Sequence, residues 1–340
     1  MSKSKKISYA ITLVFVVLLY AVVALLISQG TINRYYGGII TMICINVILT
    51  VSLNLASGFL GQLVLGHAGF MSVGAYTAAL FTIHSGLPVL VSFPIALLLA
   101  GLVAALFSVI IGIPALRLRG DYLAIITMGF GEIIRVLILA LPFTGGARGL
   151  IGIPAVAPRK SGINANVLLF SYVFFLAVLT VYIIYSFIKS RHGRAVIAIR
   201  EDEIAAEASG INTTYYKLLA FILAAFFAGI AGGLYAHHVG VLNPAKFDFN
   251  YSIEILVMVV LGGMGSITGS VISATVLTIL PEALRQFSDY RMLVYSIILI
   301  IVMLFKPSGL LGQRELSIKK LVQRIFDTEK NTGKVKKEEG

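Results

Sequence analysis

Long apolar runs separated by short polar joints dominate the chain. A membrane-crossing helix needs about 20 apolar residues. Candidate spans fall at 7–28, 38–56, 63–83, 89–115, 122–141, 167–188, 216–237, 252–281 and 291–306. The eighth is too long for one simple helix, and glycines interrupt it. The pattern predicts an all-α polytopic membrane protein with nine or ten transmembrane helices, glycine-broken segments and an internal repeat. Span 252–281 either dips in and out or crosses twice.

Composition supports this reading. The chain has 340 residues, 58% hydrophobic and 12% charged, where a soluble domain carries about 25% charged residues. The net charge of +12 gathers at Lys3, Lys5 and Lys6, in the loop 189–217, and in the tail from Lys319. Basic loops mark the cytoplasmic side, so this charge predicts topology rather than nucleic-acid binding. Both termini, Arg117, Arg119 and the loop 189–217 are then expected inside, and 142–166 and 237–251 outside. Residues 7–28 follow a basic start, but no A-x-A pattern closes the run near Ile27–Gly30, so an uncleaved anchor is expected. The expected organisation is an anchor segment at 1–35, a transmembrane domain at 36–310 that includes the loop 189–217, and a basic cytoplasmic tail at 311–340. Cys44 is alone within a span, which excludes a disulfide framework and a cysteine-based metal site.

Two spans carry breaks. One is Ser57-Gly-Phe-Leu-Gly61-Gln62-Leu-Val-Leu-Gly66-His67-Ala-Gly69-Phe, the other Leu261-Gly262-Gly263-Met-Gly265-Ser-Ile-Thr-Gly269-Ser. Interrupted segments in both halves point to a transport pathway near the midplane. Unwound backbone at that depth must be buried in protein or line a wet cavity. Gln62, Gly66, His67, Gly69, Gly262, Gly263 and Gly265 are therefore candidate pathway residues, with close helix packing as the alternative. For Gly229-x-x-x-Gly233 and Gly265-x-x-x-Gly269 packing is expected. Glu132 and Arg135 lie three apart inside a span, a spacing that lets them pair. An intramembrane pair is a functional candidate; a structural ion pair is the plainer expectation. His67 reads as a satisfied structural histidine or a substrate contact. His237 and His238 end a span at the expected outer interface and lack a third ligand nearby, so no metal site is expected. Glu254 begins the broken span, as a gate or an interfacial residue.

No G-x-x-x-x-G-K-[ST] phosphate loop occurs, nor a G-x-S-x-G elbow or H-E-x-x-H pair. A pump built on this chain must draw energy from a partner or an ion gradient. The charged stretch 189–212 offers a place for a partner. Asp202 is suited to cap a helix over 203–209, Glu203 favours its dipole, and Gly210 is placed to end it. On one continuous helix, Ile197, Ile204, Ala208 and Ile211 share a stripe. Glu201, Asp202, Glu203 and Glu207 disfavour anionic lipid, so docking to a soluble partner is expected over a helix lying on the bilayer.

Gly193-Arg-Ala-Val-Ile-Ala-Ile-Arg-Glu-Asp-Glu-Ile-Ala-Ala-Glu-Ala-Ser-Gly-Ile-Asn212 resembles the cytoplasmic loop of LivM-type permeases of branched-chain amino acid ABC importers. Gly61–Tyr76, Arg117–Met128, Thr144–Gly149 and Leu261–Ser266 resemble further motifs of that family, in order, over roughly 40–310. The resemblance implies a non-catalytic permease in a bacterial or archaeal plasma membrane. It pairs with a second related permease and is driven by two cytoplasmic ATPase subunits. An extracytoplasmic binding protein supplies leucine, isoleucine or valine. ATP is then bound by the partners, and this chain holds no cofactor of its own. The loop becomes a coupling helix with Arg194, Arg200, Glu203, Glu207 and Gly210 as its contact residues. One departure is the acid in Arg119-Gly-Asp121, where the family often has a neutral residue. The wider superfamily also serves urea, short amides and simple sugars, and a self-sufficient secondary carrier is the alternative of a different class.

Overall fold

The computed structural model describes residues 3–116, 118, 120–157, 164–285, 290–306, 308–312 and 315. Arg117, Arg119 and the tail from Leu316 onward lie outside the described residues. Among those described there is no β-strand. The helices are α1 (Lys3–Ser28), α2 (Arg34–Asn54), α3 (His67–His84), α4 (Val89–Ala115), α5 (Asp121–Ala140), α6 (Ala165–Lys189), α7 (Arg191–Glu201), α8 (Glu203–Ala208), α9 (Thr213–Val239), α10 (Phe249–Gly262), α11 (Ile267–Ala283) and α12 (Arg291–Phe305). Five are long and apolar enough to cross a bilayer: α2 with the turn that follows it, α4, α5, α6 and α9. The long eighth span resolves into two shorter apolar helices, α10 and α11, which pack on each other. The expected span 63–83 begins as a helix only at His67.

The bundle is built for a lipid solvent. On α4 the exposed face carries Leu98, Leu102, Leu106 and Ile110. The buried face carries Ala96, Ala100, Ala104 and Ser108. Lipid tails are as apolar as leucine, so large side chains gain little by turning inward, and small ones let backbones approach. Helices α3, α4 and α9 form the tightest group. A Cβ on Gly74 of α3 would strike the backbone of Gly229 on α9, and one on Gly229 would lie 2.5 Å from the Ala100 carbonyl oxygen on α4. Gly233 faces Leu97 and Ala78. The Gly229/Gly233 spacing is therefore a packing device.

Helix α2 runs through the middle, against α6, α9, α10 and α11. Helix α1 lies along α6, with the Tyr20 and Ser171 hydroxyls 2.8 Å apart. At the end of the bundle opposite α7 and α8, Leu150 and Leu242 form an isolated antiparallel bridge, with N···O distances of 2.9 and 3.0 Å. This bridge ties the α5–α6 connection to the α9–α10 connection.

Candidate functional site

Two breaks in helical order face each other. The first follows α2. Residues Leu55–Phe59 form a π-turn, and the chain then runs without helix from Leu60 to Gly66. Such widened turns free backbone groups and recur at functional positions. The second break is Gly263–Ser266, between α10 and α11. Gly263 and Gly265 take φ values of +111° and +86°, a region open to glycine but strained for other residues.

Asn54, fully buried at the end of α2, joins the two. Its Nδ2 donates to the Ser266 carbonyl at 2.9 Å and to the Ser270 hydroxyl at 2.8 Å. Its Oδ1 accepts from the Gly265 N–H at 2.9 Å. Gly58 lies so close that a Cβ there would overlap the Asn54 side chain and stand 2.5 Å from the Gly265 nitrogen. The chain after α12 closes the second break from the other side. Leu310 N–H donates to the Leu261 carbonyl at 2.7 Å. Glu315 accepts from the Ile267 N–H at 2.7 Å and from the Thr268 N–H and hydroxyl at 3.2 and 2.9 Å. Backbone groups freed by the break thus find partners, as buried backbone requires.

The start of α3 is equally close-packed. Cβ atoms on Gly66 and Gly69 would meet the backbones of Thr127 and Gly131 on α5. Ala68 N–H donates to the Ser252 hydroxyl at 3.1 Å. His67 is buried, with Nε2 3.0 Å from Ser52 Oγ. Gln62 is half-buried, and its N–H donates to the Ala56 carbonyl at 3.0 Å. Gly262 packs against Gly269, backbone on backbone. In this conformation His67 and the glycine candidates are contact points between elements, while Gln62 bonds within its own break.

Glu132 and Arg135 do pair, at 2.7 Å. The second carboxylate oxygen accepts from the Phe249 N–H at 3.1 Å, at the start of α10. Glu132 therefore joins α5 to α10, which pairing alone would not do. Glu132→Ala is expected to lower stability by about 1–3 kcal/mol, through loss of a charge-assisted bond and an unpaired guanidinium. Glu132→Gln keeps an oxygen for Phe249 and is expected to lose less; thermal unfolding in detergent compares the two. His237, in the last turn of α9, is buried: Nδ1 lies 2.9 Å from the Gly233 carbonyl oxygen and Nε2 3.1 Å from Thr82 Oγ1. Glu254 is exposed on α10.

The loop helices are tightly capped. Ser190 Oγ accepts from the Gly193 N–H, starting α7, and Asp202 Oδ1 accepts from the Ile204 and Ala205 N–H groups at 2.9 and 3.0 Å, starting α8. Gly210, with φ +82°, follows the end of α8. The expected continuous stripe does not form. Asp202 is extended, with φ −158° and ψ 110°, so α7 and α8 are separate and their phases unrelated. Val196, Ile199 and Ala206 face inward, while Ile204 is 69% exposed. Glu203 Oε2 pairs with Lys217 Nζ at 2.7 Å, and Glu207 Oε1 accepts from the Thr213 hydroxyl at 2.6 Å. Both acids thus bind α8 to α9. Arg194 is exposed and donates to the Lys189 carbonyl at 3.3 Å. Arg200 turns inward, toward Gly61 and Gly265.

Sequence reasoning passed over Asn54, Ser252, Thr213 and Lys217. Asn54 and Lys217 carried a signal, since each is strongly polar in or beside an apolar span; Ser252 and Thr213 carried none.

Comparisons with known proteins place this architecture. Residues 35–303 match the family model described as branched-chain amino acid transport system / permease component. The chain is 38% identical over 318 residues to the high-affinity branched-chain amino acid transport system permease protein LivM of Salmonella typhimurium LT2. That alignment spans 86% of this chain and 73% of the relative. It is 37% identical to LivM of Escherichia coli K12, with the same coverage. A shorter match, 39% identical over 147 residues, links it to LivH of Escherichia coli K12, covering 42% of this chain and 46% of that one. A family match across most of an all-helical, multi-pass chain shows that this protein belongs to the permease components of branched-chain amino acid transport systems.

Proposed function

We propose that the chain is the permease subunit of an ATP-driven importer that brings leucine, isoleucine or valine into the cell from an extracytoplasmic binding protein. The observation that carries the reading is α8, a capped helix held to α9 by two acid contacts, with Ile204 turned outward. The chain carries no phosphate loop of its own, so ATP hydrolysis falls to two partner subunits, and α7–α8 is where they dock. Lys189, Arg191 and Arg194 support a cytoplasmic place for this end, since basic loops favour that side. With α1–α6 crossing before the loop and α9 and α12 after it, both termini come to the same side whether α10 and α11 cross twice or dip in and out together. Similarity to both LivM and LivH of one organism supports pairing with a second, related permease. The carboxylate of Glu132 is occupied by Arg135 and the α10 backbone, which leaves the secondary-carrier alternative without a proton or ion site at that pair.

Co-purification from native membranes, followed by ATPase assay with leucine, isoleucine, valine, urea, amides and sugars, tests the reading. Stimulation by the three branched-chain amino acids in the presence of the binding protein is expected. Transport by the chain alone down an ion gradient would refute it. Ile204→Glu is expected to weaken ATPase association by about tenfold or more, as loss of an apolar anchor does. Its thermal stability should stay unchanged, because the side chain is exposed. Normal co-purification of this variant would remove α8 from the docking face.

A further inference from the structure

We propose that Arg200 is a positioning residue that transmits movement of α7–α8 to both breaks at once. Arg200 sits one residue before the end of α7, between the capped loop helices and the bundle. Its side chain is half-buried and runs along the two glycines that hold left-handed backbone next to it. A Cβ on Gly61, at φ +76°, would stand 3.0 Å from Arg200 Cγ. A Cβ on Gly265, at φ +86°, would stand 2.8 Å from Arg200 Nη1 and 3.6 Å from the Gly58 carbonyl oxygen. The stem therefore rests on the first break and the guanidinium on the second. Glycine at both positions is what makes room for it.

Among the described residues, no carboxylate pairs with Arg200. A guanidinium offers five N–H groups in a planar fork. This one lies beside backbone freed from helical bonding, with its charge not spent on a structural ion pair. The other loop arginines do not share this placement: Arg194 is exposed and bonds back to the end of α6. The two breaks are already joined through Asn54, so a push on either glycine moves a connected unit. The Arg200 stem, from Cα to Cγ, lies beside Gly61, and its guanidinium reaches Gly265, so a shift of α7 acts on the first break through the stem and on the second through the guanidinium. Coupling through packed contacts of this kind needs an element that both sites bias, and the paired breaks are that element.

The proposal rests on the proposed function for its second readout only. The first readout uses the chain alone in nanodiscs, comparing backbone hydrogen exchange in wild type, Arg200→Met and Arg200→Lys. Arg200→Met is expected to speed exchange in both 58–66 and 263–268 while leaving α8 and the Asp202 cap unchanged. Unchanged exchange in either break overturns the proposal, whatever the ATPases do. The second readout is leucine transported per ATP hydrolysed by the reconstituted complex. A fall of about tenfold in Arg200→Met, within the usual range of coupling between sites, with normal ATPase co-purification and partial recovery in Arg200→Lys, is the expected result. Loss of co-purification would make Arg200 a docking residue instead, and an unchanged transport ratio would make it packing only; either result overturns the positioning role. Wild-type chain that recruits no ATPase refutes the functional reading, while the exchange data still decide the link to the breaks.

Discussion

Gly74→Val is expected to cost about 3–5 kcal/mol, enough to remove most folded protein from the membrane fraction. The glycine stands where α3 crosses α9, and the first atoms a new Cβ would meet are the backbone atoms of Gly229. A flexible side chain could move aside; a backbone in the middle of a helix cannot. Helix α9 is in turn pressed on α4, where Gly229 faces Ala100 and Ala104, so the helices must separate or the crossing must be rebuilt. Association of helices in lipid depends on close approach rather than on expelling water, and that approach is what valine removes. Gly129→Ala is the control. Gly129 also lies within a helix, but no atom comes within 4 Å of its Cβ position. Yield of monodisperse protein by size-exclusion chromatography, with thermal unfolding, should fall sharply for the first and not for the second. Equal behaviour would show that the α3–α9 contact is not what holds the core.

Asn54→Leu is expected to cost about 2–4 kcal/mol, and to uncouple the two breaks. Leucine has the same branching but removes three hydrogen bonds, each worth about 0.5–1.5 kcal/mol, and leaves the Gly265 N–H without its acceptor; the Ser266 carbonyl keeps the Ser270 N–H and hydroxyl. Asn54→Asp keeps an acceptor for Gly265, loses both donated bonds, and adds a charge where Asn54 is fully buried. It should do no better. Hydrogen exchange ought to rise across 55–66 and 263–270 in both variants, with transport lost. Wild-type transport by Asn54→Leu would mean that the breaks work independently.

Much of the site was legible in one dimension. The apolar spans are long enough to stand above any local propensity, and each break announces itself by glycines where lipid tolerates no loose backbone. Asp202 and Gly210 bracket α8 because a short acid caps a helix start and glycine accepts the left-handed turn after its end. The stripe through Ile197, Ile204, Ala208 and Ile211 failed for a reason the residue pattern does not contain. It assumes one helical phase across Asp202, and the extended backbone there resets it. Arg194 and Arg200 have the same chemistry and lie on the same short helix. Which of them faces solvent depends on where α7 rests against the turn after α2. Glu203 and Glu207, read as contacts for a partner, are drawn to α9 because Lys217 and Thr213 come within reach only once the loop folds back.

The sequence by itself determined an all-helical membrane chain, the places where its helices break and the capped loop helix, because these follow from composition, hydrophobic period and cap chemistry between near neighbours. Only the tertiary structure decided that the two breaks meet through Asn54, that Glu132 serves α10, and that Arg200 points at both glycine turns. Those contacts join residues from about 65 to more than 200 positions apart, and apart from the Ser270 hydroxyl their partners are backbone groups, which every residue shares and no sequence pattern marks.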